Sequence, residues 1–341
     1  KRSEDVRARL NVLSEIPAEW RLRVERWRQL NRSHRRQLEV VEAPTANDEY
    51  LLYQTLVGAW PDRYDDPAVA AEFAERIERY LVKVVREAKA LSSWVNPNEQ
   101  YEAAFTGFAR ALLAPGQNER FLKRFLPFQR KVTWFGMLNA LSQTLLKLTV
   151  PGVPDIYQGC ELWSYSLVDP DNRRPVDFAA RQESLSSLRV AATDDAGLAR
   201  LASDLAAHLE DGRLKQFVLW RALDLRRRHE LLFRDGAYVP LRVIGEQAEH
   251  VCAFARVHQD DRAVVVAPRL ACTLLGGETI LPLGASAWGD TALDVSSLGD
   301  PAWEDVLTNI RIAAPDGRLP LARMLGRLPL ALLWQRAGGG P

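Results

Sequence analysis

The densest run of chemistry-bearing side chains lies at residues 149–178, TVPGVPDIYQGCELWSYSLVDPDNRRPVDF. Pro-Gly-Val-Pro leads into the short run DIYQ, which predicts a strand near 154–159. Its end presents Tyr157, Gln158 and Glu161, with Trp163 and Tyr165 close behind. Aromatic faces cover the apolar faces of a sugar ring, while carboxylates and amides bond its hydroxyls. This set therefore suits a polyhydroxylated ligand. Asp169, Asp171, Asn172, Arg173 and Arg174 follow as a compact charged turn. That turn supports two readings equally: part of a sugar site, or a local structure in which Asp and Asn cap backbone groups and Arg pairs with Asp.

Other chemistries lack their residues. No phosphate loop, Ser-His-Asp order or metal-ligand spacing occurs, so no cofactor or metal is expected. His34, His208, His229, His250 and His258 are scattered and read as surface or structural groups. Cys160, Cys252 and Cys272, a sparse and odd set, fit a reduced cytoplasmic protein. Lys plus Arg total 45 and Asp plus Glu 44, a net +1, so no electrostatic case exists for a nucleic-acid or anionic-membrane partner. No window holds 18 consecutive apolar residues, which argues against a membrane-spanning helix. The charged opening KRSEDVRARL is not a signal peptide. The chain starts on Lys1 rather than Met, and reads as a piece of something longer.

The elements that must hold these residues are mostly helical. With 47% hydrophobic and 26% charged residues the chain is an ordinary globular one, and 341 residues exceed a single domain of ~100–200. Ser3 caps a first helix with Val6, Leu10 and Leu13 on one face. Helices are expected over 18–31, over 48–60 with Asn47 as its cap, and over 67–92. The turn SSWVNPNEQYE leads into one over 99–113, followed by two more over 119–130 and 132–148. Residues 39–47 read as a loop. Helices return over 180–190, 196–209 and 213–229. From Tyr238 short strands take over: YVPLRVI, HVCAFARV, RAVVVAPRL, ETILPL, DVLTNIRI and LPLALLWQR. Their spacing suggests an antiparallel β-sandwich of ~100 residues. Ten tryptophans are many, and each reads either as packing or as a sugar-stacking surface.

Several stretches together resemble the C-terminal half of the maltooligosyl trehalose synthase family, within the α-amylase superfamily. They are KRSEDVRARL, NDEYLLYQTLVGAWP, WVNPNEQYE, LSQTLLKLTVPGVPDIYQG and ELWSYSLVDPDNRRPVDF. Only the Pro-Gly-Val-Pro…Ile-Tyr-Gln-Gly pattern is general to the superfamily. The strand-rich tail, with HVCAFAR and AVVVAPRL, looks like the family's C-terminal β-domain. The resemblance implies an α/β fold: the C-terminal part of an α-amylase-type (β/α)8 barrel with its eighth strand near 154–159, a helical insertion over about 10–130, and a small antiparallel β-sandwich. It places the partial barrel at 1–235 and the β-domain at 236–341.

The family rearranges the reducing-end α-1,4 bond of a maltooligosaccharide into an α,α-1,1 bond, an intramolecular transglucosylation of trehalose biosynthesis. Such a retaining reaction uses an Asp nucleophile and a Glu acid/base ~5–5.5 Å apart, in a pocket that excludes water. By resemblance these two and a third Asp precede Lys1, so no residue of this chain is assigned a catalytic role. The chain is expected to be inactive and unstable without the N-terminal half of the same enzyme, its expected partner besides the maltooligosaccharide. Lys1 follows the third Asp segment and is expected to bond a sugar hydroxyl at the pocket floor, and Arg2 continues its rim, with a helix-start or ion-pair role an equal reading. Asn96, Asn98, Glu99 and Tyr101 form a polar turn suited to a lid over the reducing-end sugar, with capping an equal role for Asn98. Tyr157, Gln158 and Glu161 fall at a strand's C-terminal end, the active face of a barrel. Two other functions remain open: another glucan hydrolase or glucosyltransferase of the superfamily, and a non-catalytic glucan-binding fragment.

Overall fold

The computed structural model describes residues 3–114, 118–299 and 302–335. The chain divides into two compact units, Lys1–Gly136 with Ser164–Pro175, and Met137–Trp163 with Val176–Pro341.

The first unit is helical. Helix α1 (Glu4–Asn11) starts where Ser3 Oγ accepts from the Val6 N–H, as its sequence predicts. Pro17 opens α2 (Pro17–Leu30) and Pro67 opens α4 (Pro67–Ala88), each at a first-turn position that needs no N–H. Helix α3 (Ala46–Ala59) is capped by Thr45, not Asn47: Thr45 Oγ1 accepts from Asp48 N at 3.1 Å, three residues on. A short hairpin, β1 (Arg36–Gln37) and β2 (Glu42–Ala43), sits where a loop was expected. Helix α5 covers Glu99–Leu113. The two helices expected between 119 and 148 are one, α6 (Glu119–Thr149), with Pro127 inside it. Proline in a helix costs about 3 kcal/mol, which neighbouring burial offsets here: Phe121, Phe125 and Phe128 surround it and all pack on Trp27.

Those contacts build an aromatic core. Trp27 is fully buried, with ring centres of Trp20, Tyr53 and Phe125 at 5.7, 5.4 and 5.3 Å. Such pairs add about 0.5–1.5 kcal/mol each beyond burial. Most of the tryptophans expected to choose between packing and ligand thus chose packing. At Gly136 the helices touch backbone to backbone: a Cβ there would stand 2.8 Å from Arg9 Cα.

The second unit joins helices α7 (Phe178–Ala191), α8 (Asp195–Ala207), α9 (Arg213–Arg228) and α10 (Glu230–Arg234) to two antiparallel sheets. Strands β3 (Ala237–Pro240), β5 (Val251–His258), β6 (Asp261–Pro268), β11 (Ala331–Gln335), β8 (Trp303–Asp305) and β9 (Arg311–Ile312) form one sheet in the order β3-β5-β6-β11-β8-β9. Strands β10 (Arg318–Pro320), β7 (Ala292–Asp294) and β4 (Arg242–Ile244) form the other. In the large sheet Val265 pairs with Phe254 on one side and Leu332 on the other. Val264, Val266 and Leu333 join Leu293 and Leu319 of the small sheet in a single apolar cluster. Two expected strands break in two: YVPLRVI at Leu241, and DVLTNIRI where Asn309 takes a positive φ of 54°. ETILPL forms no strand, and β7 and β10 arise in segments whose sequence shows no alternation.

The strand expected near 154–159 does not form. Residues 153–157 have no ladder partner among the described residues, and a strand exists only through its neighbour's hydrogen bonds. No closed barrel is found among the described residues.

Candidate functional site

In the second unit, Tyr157 is 46% exposed and Gln158 is exposed, at a turn closed by the bond from Cys160 N to Tyr157 O at 3.0 Å. Glu161 is half-buried and not free. Its Oε2 accepts from Arg181 Nε at 3.0 Å. The same guanidinium donates to Gly159 O at 2.7 Å and Asp177 O at 3.0 Å. Gly159 has φ +89°, and a Cβ there would press on Val176 at 3.0 Å, so the turn needs glycine. Gln216 of α9 donates to Arg181 O at 2.9 Å and accepts from Ser184 Oγ at 2.6 Å. Nearby, Trp163 donates its indole N–H to Leu209 O at 2.9 Å, with Lys215 Nζ 5.4 Å from its ring centre. A phenol, an amide and an oriented carboxylate on one braced turn can bond sugar hydroxyls.

In the first unit, the 92–102 turn separates into exposed and structural parts. Asn96 and Glu99 are exposed. Asn98 Oδ1 caps α5, accepting from Tyr101 N at 3.0 Å, so its capping role is the one realised. Tyr101 is fully buried, its hydroxyl donating to Asp48 and accepting from Thr45 N at 3.0 Å. Burial, helped by the Asp48 carboxylate, pushes the Tyr101 hydroxyl up to about 12. A group so placed cannot reach a ligand, and Tyr101 is a core residue that ties α5 to α3. Arg86 Nε and Nη2 grip Glu102 at 2.8 and 2.7 Å, and Ser92 Oγ also donates to Glu102. The Arg86 bonds hold the Glu102 carboxyl below its ordinary range against the opposing effect of burial.

The charged turn 169–174 lies in the same unit. Asp171 accepts from Arg76 Nε at 2.8 Å, from Arg76 Nη2 at 3.0 Å and from Leu167 N at 2.6 Å. Burial raises the Asp171 carboxyl, but Arg76 and the Leu167 N–H outweigh it and hold it below the ordinary value. Arg76 Nη2 also donates to Tyr165 O at 2.9 Å, and Lys83 Nζ to Asp169 O at 2.5 Å. Arg174 pairs with Glu72 at 2.6 Å. The local capping-and-pairing reading of this turn therefore holds for Asp171. A cavity of about 160 Å³ remains beside it, lined by Arg76, Arg79, Lys83, Asp169, Asp171 and Arg174.

Lys1 and Arg2 lie outside the described residues. Just after them, Ser3 Oγ donates to Ser164 O at 2.5 Å and Asp5 accepts from Ser164 N at 2.8 Å. Arg9 lies flat on Tyr165, its guanidinium carbon 3.3 Å from the ring centre. The predicted residues thus fall into two sets, Asn96, Asn98, Glu99 and Tyr101 in one unit and Tyr157, Gln158 and Glu161 in the other. Sequence reading missed Arg76, Lys83 and Arg181. Each is a charged residue on a helix, Arg76 on its buried side, and its partner lies 20 to 95 positions away. Among the described residues, no group of three His, Cys, Asp or Glu could hold a metal ion. No described helix is long and apolar enough to cross a membrane.

No family model matches the chain. A putative maltooligosyl trehalose synthase of Mycobacterium tuberculosis is 34% identical over 333 residues, which is 98% of this chain and 36% of that protein. This chain is homologous to a stretch of maltooligosyl trehalose synthase. Solved structures agree. The maltooligosyltrehalose synthase of Arthrobacter ramosus is 33% identical with a TM-score of 0.74, covering 98% of this chain and 37% of that one. A hypothetical maltooligosyl trehalose synthase of Sulfolobus tokodaii is 29% identical with a TM-score of 0.67, over 98% and 37%. The chain therefore spans a little over a third of the length of the maltooligosyl trehalose synthases it matches.

Proposed function

We propose that this chain is part of an enzyme that converts the reducing-end α-1,4 bond of a maltooligosaccharide into an α,α-1,1 bond, making a trehalose-ended product. The observation that carries this is the match to maltooligosyl trehalose synthases along 98% of the chain, in sequence and in fold together. In this reading the nucleophile, the acid/base and the third carboxylate come from the remaining two thirds of the enzyme. The chain alone then binds without turnover.

The parts divide accordingly. Residues 1–235 are read as barrel elements with a helical insertion over about 10–130, and 236–341 as the C-terminal β-domain. The latter is supported by strands β3 to β11 all lying from Ala237 on, as two antiparallel sheets over one apolar cluster, the arrangement of a small sandwich. Residues 153–157 have no ladder partner among the described residues, and Val153 is 95% exposed, which suits a barrel segment whose neighbours come from the rest of the enzyme. Within the second unit Glu161 and Tyr157 are read as sugar-binding or site-shaping groups, and within the first unit Asn96 and Glu99 are read separately as sugar-binding groups. The sparse, odd set of three cysteines supports a reducing, cytoplasmic setting.

Product chemistry decides between this reaction and hydrolysis. An α,α-1,1 bond consumes the reducing end, whereas hydrolysis creates one. Full-length protein incubated with maltoheptaose should lose reducing ends without releasing glucose, and mass spectrometry should show unchanged product mass. A rise in reducing ends with shorter products would instead identify a glucan hydrolase.

A further inference from the structure

Trp94 differs from every other tryptophan. Trp20, Trp27, Trp60, Trp288 and Trp303 are buried, and Trp134, Trp163, Trp220 and Trp334 are partly so. Among the described residues Trp94 alone is exposed, at 56%, and Val95 after it is 97% exposed. Indole is the largest apolar side chain, so leaving it in water forgoes more burial free energy than any other residue would.

The turn that carries it is braced. Ser93 N donates to Asn96 O at 3.2 Å, and Asn96 N donates to Ser93 Oγ at 3.0 Å. Beneath, Asn98 N donates to Ser92 Oγ at 3.0 Å, and Ser92 bonds the Glu102 carboxylate that Arg86 grips from α4. The Arg86 guanidinium carbon lies 5.0 Å from the Trp94 ring centre, a cation over an aromatic ring. The indole is therefore held in place before any ligand arrives, and little side-chain entropy is left to lose on binding.

We propose that Trp94 is a stacking platform for a glucosyl unit of an α-1,4-glucan. The surroundings select the ligand class. Arg86 lies against the indole, and the exposed polar residues Asn96, Asn98 and Glu99 follow it within five positions on the same turn. An apolar partner seated on Trp94 would strip water from those groups without bonding them. A sugar instead lays its C–H face on the indole and turns its hydroxyls outward, where the exposed Asn96 amide and Glu99 carboxylate can bond them. This role rests on the glucan reading above and adds to it a residue that the turn's polar positions do not supply.

The test is calorimetric titration of the full-length protein with maltoheptaose, using Trp94→Ala, Trp94→Phe and Asn96→Ala, with melting temperature as the check on folding. Trp94→Ala should weaken maltoheptaose binding about tenfold with an unchanged melting temperature. Trp94→Phe should recover most of that, and Asn96→Ala should cost a few-fold. Unchanged affinity in Trp94→Ala overturns the proposal. So does an affinity loss that tracks a lowered melting temperature in both Trp94 variants, or a change in oligomeric state with sugar binding intact. If the wild type makes no trehalose-ended product while Trp94→Ala still loses maltoheptaose, the platform stands and the reaction reading falls. If the product forms normally and the variant binds normally, the platform alone falls.

Discussion

Arg181 holds Glu161 and the backbone that carries it with one side chain: the carboxylate at 3.0 Å and Gly159 O at 2.7 Å. Arg181 is thus a positioning residue for the 157–161 turn. In the full-length protein, Arg181→Leu should lower kcat for trehalose-ended product about tenfold, and Arg181→Lys should restore only part, since an ammonium cannot grip both acceptors with a planar fork. A double-mutant cycle with Glu161→Gln should show coupling of about 1 kcal/mol. Additive effects would mean that the pair only braces the surface.

Arg76 and Asp171 form the most enclosed ion pair of the charged turn, with side-chain exposures of 7% and 11%. Arg76→Leu would leave Asp171 buried without its main partner, at a cost of about 3–5 kcal/mol. Urea denaturation should show that loss at pH 7. The Asp171 carboxyl is held below its ordinary value, so its contribution is full above the unfolded carboxylate range and fades as pH falls through the folded value. The gap between wild type and Arg76→Leu should therefore narrow in acid.

Asp305 runs the other way. Burial pushes its carboxyl up to about 6, against bonds from Thr308 Oγ1 at 2.5 Å and from the Leu307 and Leu332 N–H groups at 3.3 and 3.2 Å. A folded value above the unfolded one means the charged form strains the fold. Its cost is absent below about pH 4, grows between about 4 and 6, and is constant above, reaching about 3 kcal/mol. Asp305→Asn keeps an oxygen for the two N–H donors and carries no charge. Its stability relative to wild type should rise over that interval, as read from urea midpoints.

Tyr101→Phe separates structure from site. It removes the hydroxyl that joins Asp48 and Thr45, and should cost about 1–2 kcal/mol of stability. Maltoheptaose affinity of the full-length protein should stay within twofold of wild type, because Tyr101 is buried in the core. A large affinity loss at unchanged stability would return Tyr101 to the site.

The sequence was most legible where the cause is local. The bounds of α5 follow from Asn98 and Glu99 at its start, and the Pro67 start of α4 from proline's missing N–H. Tyr101 shows the limit. Beside Asn98 and Glu99 it reads as part of a polar turn, but Asp48, 53 positions earlier, draws its hydroxyl inward. Pro127 shows another. A local rule breaks the helix there, while Trp27 and three phenylalanines hold it together. The carboxylate Glu161 was visible as a candidate; Arg181, which aims it, was not, because an arginine on a helix surface carries no sign of its partner.

The first unit is not one continuous stretch of chain, since Ser164–Pro175 belongs to it. On a ribosome this sets a schedule. Arg76 waits 95 residues for Asp171, and Asp5 waits 159 for Ser164. At ~5–20 residues per second, that leaves the arginine without its carboxylate for several seconds, with α4 already made. The nascent unit therefore stays open until Pro175 has cleared the exit tunnel. A chaperone that shields helices during this interval should therefore raise the yield of folded protein.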